Sequence, residues 1–238
     1  MFSALLKRAD AERASAVVET LLGEGMRGAL TGSLATEAQL RAHGRAIERR
    51  RLNDLDLVVD HFSAIPASLA DRFLIHHVHP DAPEGKTLLQ LVDTEHALRV
   101  DVFRAFGRTL TRARALDEQT GSLPVLAVED LVARNTAHVC GRLLQGRAID
   151  VKHVRALTRL SGLGESARLA EAWQDHRQNV PGTFDEALCQ ASELIGRCSD
   201  RLVHDTYSAV VTACDRCRDV GPFRRSAPDA IVSVLGYW

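Results

Sequence analysis

Lysine is scarce in this chain: Lys7, Lys86 and Lys152 are the only ones among 30 basic residues, so nearly all the positive charge is arginine. The planar arginine fork suits phosphate and carboxylate. An excess of either charge is also missing, with 30 basic against 31 acidic residues. That balance removes any general pull toward nucleic acid or an anionic membrane and leaves only local patches to supply one. No apolar run approaches the roughly 20 residues that span a bilayer, and the start MFSALLKRADAER is too soon charged for a secretory signal. A soluble cytoplasmic protein with no membrane partner is expected. The five cysteines, Cys140, Cys189, Cys198, Cys214 and Cys217, are an odd number spread mostly over segments that read as helices. Reduced thiols, not a disulfide framework, are the expectation. Internal repeats and low-complexity segments are absent as well.

What is present changes character near Pro124. Before it, Ala14, Val17, Val18, Leu21 and Leu22 recur at helical spacing behind a possible cap at Asp10, and GALTG (28 to 32) reads as a short strand. A helical piece after Ser33 is followed by strand-like runs at LDLVV (55 to 59), FLIHHVH (73 to 79), TLLQLV (87 to 92) and ALRVDVF (97 to 103). In the last, Leu98, Val100 and Val102 alternate with Arg99, Asp101 and Phe103. After Pro124 the period is helical. Val128, Leu131, Val132, Val139 and Leu143 trace one stripe, and Phe184, Ala187, Leu188, Ala191, Leu194 and Ile195 trace another behind a Thr183/Glu186 capping box. The expected organisation is a mixed α/β region over 1–123 and an all-helical region over 124–238.

The chemistry-bearing stretch is RRLNDLDLVVD, Arg50 to Asp60. Side chains two apart on a strand share a face, so Asp54 and Asp56 project together while Leu55, Leu57 and Val59 face the core. Two adjacent carboxylates repel, and their ionised form needs a cation. Hard Mg²⁺ suits them, completing its shell with water and substrate phosphates. Asp101 would add a third acid if its strand lies beside the pair, and three acids suit two metal ions. Upstream, TGS (31 to 33) stands where a strand ends and a helix begins. There the backbone N–H groups and the Ser33 hydroxyl could hold a phosphate, with Gly32 permitting close approach.

Gly32 and Ser33, the Asp54-x-Asp56 strand and Asp101 in LRVDVF stand in the order of the signature of the DNA polymerase β-like nucleotidyltransferase superfamily, which residues 12 to 105 resemble. The resemblance implies an α/β (α+β) fold, a mixed sheet with helices on one face followed by a helical domain that chooses the acceptor, with the active site in the cleft between them. It also implies Asp54, Asp56 and Asp101 as metal ligands and catalytic residues, and Gly32, Ser33 and Arg51 as the nucleotide-binding set. The expected cofactor is Mg²⁺, one or two ions, with a nucleoside triphosphate, most often ATP in such families, as co-substrate. A nucleoside monophosphate would pass to a hydroxyl on a small molecule, a protein or a tRNA end. A binding-only module of the same fold and a tRNA-modifying toxin are the alternatives. The intervening LATEAQLRAHGRAIERRRLN is longer than in many small members and resembles the spacing of abortive-infection toxins. Those relatives carry a lysine in the helical half where Arg134 and Asn135 stand here; their further aspartate would be Asp150, beside Lys152.

Other features carry two readings each. The cluster Arg41, Arg45, Arg49, Arg50 and Arg51 is either a phosphate or RNA clamp or a solvated helix face. Cys214 and Cys217 form a single C-x-x-C, with Cys198 and His204 as conceivable zinc partners. Alternatively they end a helical core stripe through Val203, Tyr207 and Val210. His77 and His79 share a strand face near His76, and none of the three has an assigned role. Tyr237 and Trp238 could close the core, stack on a base or form a homodimer contact.

Overall fold

The computed structural model describes residues 1–49, 51–204 and 214–236. In chain order the first elements are α1 (Arg8–Gly23), β1 (Ala29–Leu30), α2 (Gly32–Ala42), β2 (Asp54–Val59), α3 (Leu69–Arg72), β3 (Leu74–Val78), β4 (Thr87–Asp93) and β5 (Leu98–Arg104). Then come α4 (Thr109–Arg112), β6 (Arg114–Ala115), α5 (Asp117–Thr120), β7 (Pro124–Val125), α6 (Val128–Leu144), β8 (Ile149–Asp150) and α7 (Val151–Leu160). Last are α8 (Ser166–His176), α9 (Phe184–Arg197), β9 (Leu202–Val203) and α10 (Pro228–Leu235). The architecture is mixed α/β. A seven-stranded sheet runs β3-β4-β5-β2-β1-β7-β6, and β8 pairs with β9 in a separate ribbon.

Every strand-like run in the first half forms a strand, because the apolar residues alternate and find a buried side. Leu55, Leu57 and Val59 of β2 and Leu98, Val100 and Val102 of β5 are buried. The two strands are neighbours and parallel, with Leu55 opposite Val100 and Asp56 opposite Asp101. The hairpin β3–β4 lies beyond β5, antiparallel to it. On the other side β1 is antiparallel to β2 and parallel to β7.

The second half is helical in α6 to α9, and the α9 capping box of Thr183 and Glu186 is formed. It is not purely helical. Pro124 and Val125 add a strand to the main sheet beside β1, and β8 and β9 form their own ribbon. One hydrophobic core runs through both halves, from Phe2 to Phe223. At the amino terminus α1 starts at Arg8 with Lys7 as its N-cap residue, so Asp10 is not the cap. Its carboxylate instead accepts from Arg13 and from the Leu52 backbone N–H, fastening the segment that leads into β2.

Two buried polar groups tie the helices to one another. Asp130 on α6 is fully buried and takes both forks of Arg112 on α4, at 2.9 and 2.6 Å, and the ring of His176 on α8 at 2.9 Å. Arg112 also reaches Asp175 at 2.6 Å. Glu37 on α2 pairs with Arg159 on α7 and accepts from the Glu48 backbone N–H at 2.8 Å. The long loop between α2 and β2 is thereby pinned under α7, with Arg41, Arg45, Arg49 and Arg51 exposed. Arg50, Tyr207, Val210, Tyr237 and Trp238 lie outside the described residues. Among the described residues no helix is long and apolar enough to cross a membrane.

Removing one partner of a buried ion pair leaves the other charge uncompensated. Asp130→Ala should therefore lower unfolding free energy by about 3–5 kcal/mol, read by urea denaturation. Arg8→Ala, which breaks only an exposed pair with Glu12, should leave the denaturation midpoint essentially unchanged.

Candidate active site

The parallel pairing of β2 with β5 puts Asp56 directly opposite Asp101, with Asp54 one pleat further along opposite Arg99. Paired residues project to the same side of a sheet, and carboxylate oxygens of Asp54, Asp56 and Asp101 lie within 4.8 Å of one another. Asp54 and Asp56 are half-buried and Asp101 is buried. The three expected acids are thus brought together. Asp60, exposed past the end of β2, is not among them.

Gly32 stands against this cluster. Its φ of +68° is a left-handed conformation that side chains other than glycine rarely adopt, and a β-carbon there would fall on the Asp56 carboxylate. The turn is therefore glycine for two independent reasons. Thr31, which precedes it, donates its backbone N–H to the Asp56 carbonyl at 2.9 Å, which locks the start of α2 to β2. Ser33 is exposed in the first turn of α2, where helix N–H groups lack intrahelical acceptors.

Two arginines compensate the acids, and neither belonged to the expected binding set. Arg99 on β5 donates Nη2 to Asp54 Oδ2 and to Asp101 Oδ2, each at 2.9 Å. Arg134 on α6 donates Nη1 to Thr31 Oγ1 at 2.7 Å and lies 5.7 Å above the Phe103 ring. A signal for Arg99 was visible in the alternation of LRVDVF, which places it on the face of Asp101. Arg134 had none, because its approach depends on how α6 packs. Arg51 is exposed three residues before Asp54, in the loop that leads into β2. Gln90 on β4 completes the set, donating to Asp101 Oδ1 at 2.8 Å.

Burial beside neighbouring acids raises the affinity of Asp56 and Asp101 for protons. Burial, then the charges of Asp54 and Asp101, push Asp56 up to about 7, against the partial relief of Arg134 and Arg99. Asp101 is pushed up to about 6, chiefly by burial, with Arg99 opposing and Asp54 adding to it. The cluster therefore holds a proton near neutral pH unless a cation takes its place. Hard oxygen donors in this number fit a divalent ion such as Mg²⁺.

Beside Arg134 the helices present further nitrogen groups. The His138 and His153 rings lie tilted by 58° with centroids 4.4 Å apart, and His153 meets Asn135 Oδ1 at 3.3 Å. His153 is held neutral, pushed down to about 3 by burial and then by His138, Lys152 and Arg134. Asp150 caps α7 by accepting from the Lys152 backbone N–H at 2.8 Å and pairs with its ammonium at 3.3 Å. A hollow of about 700 Å³ lies along α1, lined by Met1, Arg8, Glu12, Ser15, Glu19 and Arg49 among others, with none of the three acids.

The raised values have a signed consequence for stability. Between about pH 4 and pH 7 the folded, metal-free protein binds more protons at Asp56 and Asp101 than the unfolded chain does, so these groups destabilise the fold increasingly as pH rises. Asp56→Asn should melt roughly 5 °C above the wild type near pH 8 without metal, and the gap should close near pH 4. Saturating Mg²⁺ should raise the wild type and not the variant; a gap independent of pH would contradict the repulsion. Gly32→Ala should cost about 1–3 kcal/mol through its strained φ and weaken Mg²⁺ binding by displacing the Asp56 carboxylate, measurable by calorimetry. Comparison with protein-family models, with curated proteins and with solved structures finds no match for this chain, so the chemistry of the site rests on its own side chains.

Proposed function

We propose that the protein is a metal-dependent nucleotidyltransferase that moves a nucleoside monophosphate from a nucleoside triphosphate, ATP by preference, to a hydroxyl acceptor and releases pyrophosphate. The observation that carries this reading is the convergence of Asp54, Asp56 and Asp101 on adjacent parallel strands, with the glycine turn of α2 packed against Asp56. The nucleotidyltransferase arrangement would then be the part of the sheet from β1 to β5 with α1 and α2, and the helices α6 to α9 would present the acceptor.

Bound to the three acids, Mg²⁺ would neutralise the triphosphate and lower the pKa of the attacking hydroxyl. The chain supplies the rest. The first turn of α2, with Ser33, offers N–H and hydroxyl donors to phosphate oxygens at the positive helix end. Arg134 adds a fixed cation beside that turn, and such preorganised charge favours the transition state of phosphoryl transfer. Asp101 accepts the proton of the acceptor hydroxyl. Attack on the α-phosphorus forms the new P–O bond as the bond to the β-phosphate oxygen breaks, and pyrophosphate leaves.

One observation favours a binding-only module as the second reading. Arg99 spans Asp54 and Asp101 at 2.9 Å to each, so the protein carries its own counter-ion where a metal would act. In the catalytic reading this guanidinium yields to the metal and holds the acids in place until then. The two separate on incubation with Mg²⁺ and each labelled triphosphate in turn, with a cell lysate as acceptor pool. Catalysis predicts label in one acceptor fraction, reduced by about a hundredfold or more in Asp54→Ala and Asp56→Ala. Nucleotide binding by calorimetry with no transfer to any fraction would favour the module.

A further inference from the structure

We propose that His77, His79, Cys214 and Cys217 form a tetrahedral zinc site that fastens the carboxyl-terminal segment to the edge of the sheet. One donor atom from each of the four lies within 4.8 Å of the others. His77 Nδ1 is 3.1 Å from Cys217 Sγ, and His79 Nε2 is 3.7 Å from Cys217 Sγ and 3.8 Å from Cys214 Sγ. Zn–S and Zn–N bonds of about 2.3 and 2.0–2.1 Å set donor separations of roughly 3.3–3.8 Å around a tetrahedron. All four residues are half-buried, and no two cysteines among the five are joined.

Each pair has a local reason to converge. His77 and His79 are two apart at the end of β3 and share a face, and their rings lie 25° from parallel with centroids 5.7 Å apart. Cys214 and Cys217 bracket a turn in which the Cys217 N–H meets the Cys214 carbonyl at 3.3 Å, the C-x-x-C spacing that zinc sites use. The tautomer of His79 is already set. Its Nδ1 faces the Arg216 carbonyl at 3.2 Å, an acceptor only, so Nδ1 carries the proton and Nε2 points its lone pair at the sulfurs. Metal-bound histidines are oriented in this way by a carbonyl on the far nitrogen. Two thiolates and two imidazoles in a tetrahedron select zinc over the harder ions that carboxylates attract.

The partners are thus not Cys198, at the end of α9, or His204, exposed beyond β9. Nor do the two cysteines end a helical stripe, since Val203 lies in β9 and 214–217 is a turn. The site acts as a clip. Beyond it the Arg218 N–H donates to the Val78 carbonyl at 2.9 Å and the Ser226 N–H to the Ile75 carbonyl at 2.8 Å, covering the open edge of β3. Ile231 and Leu235 of α10 then pack on Val92 and Leu74. An unpaired sheet edge is a site of aggregation, and covering it is one way proteins manage that hazard. His77 lies opposite Gln90, Gln90 opposite Asp101 and Asp101 opposite Asp56, so the clip sits on the acid face two strand spacings, about 10 Å, from Asp101.

Full-length protein purified under reducing conditions, without chelator or a metal-affinity step, should carry about one zinc per chain by plasma mass spectrometry. The Cys214→Ser/Cys217→Ser variant should retain at most about a tenth of that, whereas Cys189→Ser and Asp54→Asn/Asp56→Asn should keep it. Because the cysteine variant could fail to fold, wild-type protein stripped of metal is also titrated with Co²⁺. Thiolate-to-cobalt charge transfer in the near ultraviolet with intense tetrahedral d–d bands in the red is the expected spectrum, displaced by one equivalent of Zn²⁺. Folded wild type that holds no zinc and gives no such bands overturns the proposal, as does zinc lost from the aspartate variant and kept by the cysteine variant.

Discussion

The parallel register of β2 on β5 is the constraint on which the candidate site depends. It is set by apolar residues, since Leu55, Leu57 and Val59 meet Val100, Val102 and Arg104 across the pair, and most of these side chains are buried. A slip of one residue would turn every core side chain of one strand to the opposite face. Burial on one face therefore fixes, on the other, that Asp56 faces Asp101. The hydrophobic effect positions charges that would not come together by themselves.

That positioning carries a free-energy cost, visible in the proton affinity of Asp56 and Asp101. The surrounding structure offsets part of it with Arg99 and Arg134, each arriving from a different element. Functional sites commonly hold such locally unfavourable arrangements, supported by the rest of the fold. Here the support is concrete. Arg134 is aimed by α6, and α6 is held by the buried Asp130 with Arg112 and His176. The loop that precedes β2 is held by Glu37 and Arg159.

The same sheet face carries a second cluster of a different chemical kind. Carboxylates near β2 and β5 offer hard oxygen donors, while the end of β3 with the turn at Cys214 offers nitrogen and sulfur. The difference in donor softness would keep two metals apart on one face. Gln90 stands in the register between them, opposite His77 on one side and Asp101 on the other, and its amide is committed to Asp101.

Strands β1 to β5, the two-faced character of β2 and β5, the helical stripes of α6 and α9 and the α9 capping box were all legible in the chain, because periods of 2 and 3.6 and capping chemistry are local properties. So was the shared face of Asp54 and Asp56, which two-residue alternation dictates. That β2 and β5 are neighbours was conditional in the sequence, since strand order depends on long-range pairing, and only the sheet decided it. The short strands β6, β7, β8 and β9 escaped notice because two residues carry no period. Arg134 and the histidine partners of Cys214 and Cys217 could not be read either, since each lies more than 75 positions from the group it meets. Periodicity determined which faces the residues occupy; only tertiary packing decided which faces meet.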